Sequence, residues 1–133
     1  MTEARVEKVH EDRIAAREYF AQAERFFVDA TRAELSADTR SVVFHNAAIC
    51  ACDAILQAAG LRVTSGEGSH LLRLGTALEQ VDGNHDDLLE RLDESRWHRN
   101  NVSYQAGFVP DASVVEAREA TTELIELTRG YVS

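Results

Sequence analysis

The sequence predicts an all-α fold, an up-and-down bundle of about five helices forming one domain over residues 1–133. Apolar residues recur three and four apart along most of the chain, the spacing that lines one face of a helix. No period-two alternation is long enough to specify a strand, and there is no internal repeat or low-complexity tract. The stretches between periodic segments are short, which makes neighbouring helices mostly antiparallel.

Each element follows from local signals. Over residues 3–33, Val6, Val9, Ala16, Phe20, Ala23 and Phe27 keep helical spacing while Glu and Arg fill the other face, predicting one long amphipathic helix. Ser36 is placed to cap a second helix and Gly60 to stop it. From Phe44 to Ala51 that helix is apolar nearly all round, as expected for the centre of a bundle whose alanines let neighbours approach closely. VTSGEGS (63–69) reads as a loop. Leu71, Leu74, Leu78 and Val81 mark a third helix ending at Gly83, and Asn84 is placed to cap a fourth with Asp86 and Asp87 in its first turn. Gly107 and Pro110 break the fourth helix. The fifth starts near Asp111 or Ser113, with Ser113 and Glu116 spaced as a capping box and Val114, Val115, Ala117, Thr121, Leu124, Ile125, Thr128 and Tyr131 on its apolar side.

A chain of 133 residues with 44% hydrophobic and 28% charged residues has the composition of an ordinary soluble globular domain with one sizeable core. A net charge of -9 works against a broad surface for DNA or anionic membrane, so any nucleic-acid site has to be local. MTEARVEKVHEDR lacks the apolar stretch of a signal peptide, and no run approaches the roughly 20 apolar residues of a bilayer span. A cytoplasmic protein with no membrane partner is expected. Cys50 and Cys52 point to nearly opposite sides of a helix at about 100° per residue, so they read as small core residues of a reducing compartment rather than a bridge.

One stretch departs from this pattern. SRWHRNNVSYQAGFVP (95–110) contains no Asp or Glu and gathers two arginines, two asparagines, a histidine, a tryptophan and a tyrosine. With Leu88 at zero on a helical wheel, Leu92 falls at about 40° and Arg99 at about 20°. Arg99 therefore continues the leucine stripe, where a guanidinium requires partners. Ser103 lies one turn further on nearly the same face, and Arg96, Asn100 and Tyr104 form an adjacent row at four-residue spacing. Guanidinium, amide and phenol groups together suit a phosphate. A structural reading has Arg99 pairing with a distant acid while Trp97 and Tyr104 cover the core.

RNNVSY (99–104) resembles the signature of HEPN domains, small all-α modules whose active members carry Arg, a polar residue and, after a short spacer, His. FHNAAICACDAILQAAG (44–60) is similar to the family's central alanine-rich helix and GEGSH (66–70) to the loop entering its next helix, so the resemblance spans roughly residues 36–131. It implies a homodimer in which the motifs of both protomers face one cleft. In ribonuclease members the arginine and histidine assist attack by a ribose 2′-hydroxyl on the adjacent phosphate. Arg99 matches the arginine and Asn100 the polar residue, but Tyr104 stands at the histidine position. A phenol with an ordinary pKa near 10 is a poor general base at neutral pH. The resemblance then implies binding of RNA or a nucleotide through Arg96, Arg99, Asn100, Ser103 and Tyr104 with little or no cleavage. It also implies a bacterial toxin–antitoxin or defence setting with a nucleotidyltransferase-type antitoxin as partner.

Two further functions stay open at this stage. A non-catalytic interaction or dimerisation subunit would use the polar cluster only to fix its interface. An active metal-independent ribonuclease toxin would rely on Arg99 with Tyr104 or His98, although His98 lies about 100° from Arg99 on the helix. His45 and His70 are expected to make structural hydrogen bonds, and His10 and His85 to lie on the surface. No histidine pair at four-residue spacing and no Cys–His spacing suited to zinc occurs, and GEGS lacks the lysine of a phosphate-binding P-loop. Neither a metal nor another cofactor is expected.

Overall fold

The computed structural model describes residues 2–105 and 109–133, with side chains given for all of these except 96–105. In chain order the elements are β1 (Val6–Lys8), α1 (Arg13–Ala30), α2 (Ala37–Ala59), β2 (Leu61–Val63), α3 (Ser69–Glu79), α4 (Asp86–Gln105) and α5 (Asp111–Val132). The fold is the all-α bundle expected, with five helices among the described residues and a small antiparallel ribbon of β1 and β2 beside them.

The expected first helix is shorter than its periodicity suggested. It begins at Arg13, because Asp12 takes the cap position and its carboxylate accepts a hydrogen bond from the Ala15 amide at 2.9 Å. Ahead of it the chain is extended. Val6 pairs with Val63 and Lys8 with Leu61, while the Val9 and Asp12 amides donate to the carbonyls of Gly60 and Gln57 at 2.9 and 3.0 Å. Ribbon partners distant in sequence thus satisfy backbone groups that a first helical turn would have left open. Glu7 lies between two cations, and hydrogen bonding to the Arg62 guanidinium, with Arg5 assisting, holds its carboxyl below the usual carboxylate range.

α2 runs as its end signals dictate. The Ser36 hydroxyl accepts from the Thr39 amide at 3.1 Å, and Gly60 closes the helix in the left-handed conformation at φ 71°. A side chain at Gly60 would also collide with the ribbon, since a Cβ there would stand 2.8 Å from the Val9 carbonyl oxygen. α2 packs against α1, α3, α4 and α5. Phe44, Ala47, Ala51, Cys52, Ala54 and Ile55 are all fully buried. Contrary to expectation, α2 is long and apolar enough to cross a bilayer by length and composition, yet 50% of its most apolar window is buried inside the bundle. Its apolarity has a use within the fold, because neighbours cover it on several sides.

The remaining ends differ in detail from the sequence expectations. α3 stops at Glu79 with Gln80 as its cap, and Gly83 lies beyond in the connecting loop at φ 106°. Asn84 stands two residues before the first residue of α4, and its side-chain oxygen accepts from the Asp86 amide at 2.9 Å, forming an Asx turn. α5 starts at Asp111 with Pro110 at the cap position and no side-chain cap bond, so the Ser113–Glu116 capping box does not form. Proline's fixed φ makes the transition two residues earlier and draws Ser113 into the first turn. Val115 is 54% exposed, and the other expected apolar positions of α5 face inward. Pro110 stands at the start of α5, whereas Gly107, the other expected breaker of the fourth helix, lies outside the described residues.

Candidate functional site

The rotation of α4 is set by its first half. Leu88 and Leu92, 1% and 4% exposed, enter the main core beside Ala48, Ala51, Leu74 and Leu78. On its flank Arg91 pairs with Glu123 of α5 and, one turn back, with Asp87 at 3.1 Å. With the leucines inward and Arg91 held to α5, the helix can continue in only one register. Its backbone stays helical to Gln105. All six candidate positions, Arg96, His98, Arg99, Asn100, Ser103 and Tyr104, lie on this one uninterrupted helix. Their side chains, and that of Trp97, lie outside the described residues.

The end of the bundle that α4 reaches carries a pair of imidazoles. His45 of α2 and His70 of α3 stand with ring centroids 5.4 Å apart and planes inclined by 51°. Both rings are half-buried, and Nδ1 of His70 is shielded from solvent. Each lies one helical turn outside the apolar seam of its helix, three residues before buried Ala48 and four before buried Leu74. Leu92 belongs to the same seam.

α3 and α4 form an antiparallel hairpin across a short connection, with a Leu89 methyl 3.8 Å from where a Cβ at Gly75 would be. Five residues back from Gly75 is His70, and five forward from Leu89 is Glu94. At about 1.5 Å of rise per residue, His70 and Glu94 each lie about 7.5 Å along their helices from that contact.

The cations of α2 and α3 are both engaged. The cation of α3, Arg73, lies 3.6 Å from Asp53 of α2. Burial pushes the Asp53 carboxyl up while Arg73 opposes that shift. The cation of α2, Arg40, donates to the Ala30 carbonyl at 2.8 Å and covers the end of α1. Cys52 is fully buried with its thiol pushed up to about 12 by desolvation, and burial raises the half-buried Cys50 as well, so neither is a ready nucleophile. The core role expected of Cys52 matches its position, while Cys50 sits at the edge of that core.

The opposite end of the α3–α4 hairpin has a cavity of about 400 Å³ lined by Glu79, Gly83, Asn84, His85, Asp86 and Leu89. Its carboxylates disfavour an anion. His10 is exposed, and His85 is half-buried with Nε2 2.9 Å from the Asp82 carbonyl oxygen. Among the described residues no group of three or more His, Cys, Asp or Glu side chains is placed to hold a metal ion.

The segment that follows α4 returns to the core. Val109 is 5% exposed against Phe44, Ala30 and Val114, and its amide donates to the Asp38 carboxylate at 2.9 Å. This bond joins the start of α2 to the chain just beyond the polar stretch. The sequence reading placed the α4 row on its helix but treated His45 and His70 separately, since 25 residues divide them. Comparison of the chain with protein-family models, with curated proteins and with solved structures gives no match.

Proposed function

We propose that this chain is a HEPN-like helical module that binds a phosphate of RNA or of a nucleotide through Arg99, with Arg96, Asn100, Ser103 and Tyr104 beside it, and with little or no cleavage. The observation that carries this reading is the continuation of α4 as one helix from the buried Leu88 and Leu92 through the acid-free stretch to Gln105. On the helical wheel Arg99 continues the stripe of Leu88 and Leu92, which would present fixed positive charge at the edge of a core. There a phosphate is a better partner than water, because a guanidinium matches its oxygens two at a time.

The weakness for catalysis lies in the chemistry of Tyr104. A phenol at its ordinary pKa donates a hydrogen bond readily and accepts a proton poorly at neutral pH. The family resemblance further proposes a homodimer, with the two α4 rows sharing one groove, and a nucleotidyltransferase-type antitoxin as partner. Binding of a labelled single-stranded RNA and of AMP to wild type and Arg99→Ala tests the reading: loss on substitution is expected, and equal, negligible binding by both proteins contradicts it.

A further inference from the structure

We propose that the outer face of α3 is a docking groove for a segment of a partner protein, one that places an aliphatic or aromatic side chain between Lys or Arg residues. The groove uses none of the residues of the phosphate reading, so the two stand independently.

The apolar part of this face is uncovered. Leu71, which the sequence places on the inward stripe of its helix, is 48% exposed. With Leu72 and Gly75 it lines a groove of about 450 Å³ that also meets Leu89 of α4 and Ala4 of the segment ahead of β1. The cavity of about 400 Å³ at the end of the α3–α4 hairpin adjoins it, sharing Gly75, Glu79 and Leu89. α3 has 11 residues, so the face is about 16 Å long and has room for about three turns of a helical peptide.

Gly75 is the residue that support of the bundle does not explain. Glycine inside a helix weakens it relative to alanine. Here a Cβ would meet, among the described residues, only a Leu89 methyl at 3.8 Å, an ordinary contact distance. The fold could accept that methyl. What the missing side chain provides is depth at the point where groove and cavity meet.

Charge identifies the occupant. Glu3 and Glu67 stand at the end of the groove where α3 begins, and Glu79 at the other, with Asp86 in the adjoining cavity. All four are exposed, and among the described residues none is in an ion pair. Glu3 and Glu67 are moreover bridged residues of neighbouring extended segments, where like charges side by side are destabilising. An apolar floor between acidic ends complements an apolar side chain between basic ones. The same charge disfavours RNA and an anionic membrane here, and a net charge of -9 on each chain makes a second copy a poor occupant.

The test begins with a displayed library of random peptides of about twelve residues, enough for three helical turns, panned on the wild-type protein. Enriched sequences are expected to carry Lys or Arg on both sides of an apolar residue; no enrichment, or enrichment without that pattern, overturns the proposal. The leading peptide is then synthesised and titrated against Gly75→Leu, Gly75→Ala, Glu67→Lys and Glu79→Lys, each also melted. Gly75→Leu should lower affinity roughly tenfold or more by filling the floor. Gly75→Ala should weaken binding while raising the melting temperature, opposite directions that a merely structural glycine would not give. The two lysine variants should slow association, with an effect that shrinks as salt rises. Binding of the peptide by Gly75→Leu within about twofold of wild type overturns the proposal. So does a wild-type dimer that Gly75→Leu dissociates, which would make a second copy the occupant.

Discussion

Phe44→Ala should be among the most damaging single substitutions in this chain. Phe44 has no exposed surface, meets Phe27 edge-to-face at 5.6 Å between centroids, and fills the space between Ala30, Val109, Val114 and Ala117. Three of those neighbours are already small or rigidly held in helices, so the cavity left by the ring closes poorly. The expected cost is about 3–5 kcal/mol, from lost transfer energy and the residual cavity together. Scaled to 133 residues, an unfolding entropy of about 2.1 cal/mol/K per residue turns each kcal/mol into roughly 3.6 °C, hence a fall in Tm of about 11–18 °C. Thermal and urea unfolding followed by far-ultraviolet circular dichroism measure it, with Phe44→Leu expected to lose less than about 1.5 kcal/mol. A loss below about 1.5 kcal/mol for Phe44→Ala would refute the reasoning. It would mean that α1, α2 and the Val109 segment do not close around this ring.

Other substitutions probe the ribbon and the half-buried ion pair. Gly60→Ala should destabilise by at least about 1–2 kcal/mol from the left-handed backbone alone, and further because the new methyl lies 2.8 Å from the Val9 carbonyl oxygen. Gly130→Ala, in helical α5 with nothing within 4 Å of its added Cβ, should instead gain roughly 0.5–1 kcal/mol; the two melts should move in opposite directions. Asp53 has a folded pKa above its unfolded value near 3.9, mainly because it is desolvated. Between those values the folded state binds more protons than the unfolded state, so this group's contribution to stability falls as pH rises through that window and then levels off. The stability of wild type relative to Asp53→Asn should follow that course in urea melts at stepped pH; a difference that rises with pH would contradict it.

The sequence was most informative where a boundary is a local event. Ser36 and Gly60 bracket α2 as expected because a hydroxyl cap and a left-handed glycine act within one turn. Leu88 and Leu92 lie inward, as the helical wheel required. The start of α1 was hidden because Val6 and Val9, three apart, fit a helix as well as the extended segment they form. The pairing that decides between the two lies at Leu61–Val63, more than fifty residues away. At α5 two local signals competed, and Pro110 overrode the Ser113 capping box by starting the helix before it. The α4 row could be ordered on its helix from sequence alone. The approach of His45 to His70 could not, because it depends on how α2 and α3 cross, a property of packed surfaces that neither helix carries by itself.

The most direct test of the central claim is the affinity of purified protein for a labelled single-stranded RNA and for AMP, measured at low and moderate salt for wild type and Arg99→Ala. Wild type should bind at least one of them more weakly as salt rises, as a phosphate contact requires, with the RNA recovered intact. Arg99→Ala should lose on the order of tenfold or more in affinity while keeping its melting temperature within a few degrees of wild type. Equal affinity of the two proteins, or binding by neither, would contradict the assignment of α4 as a phosphate-binding helix.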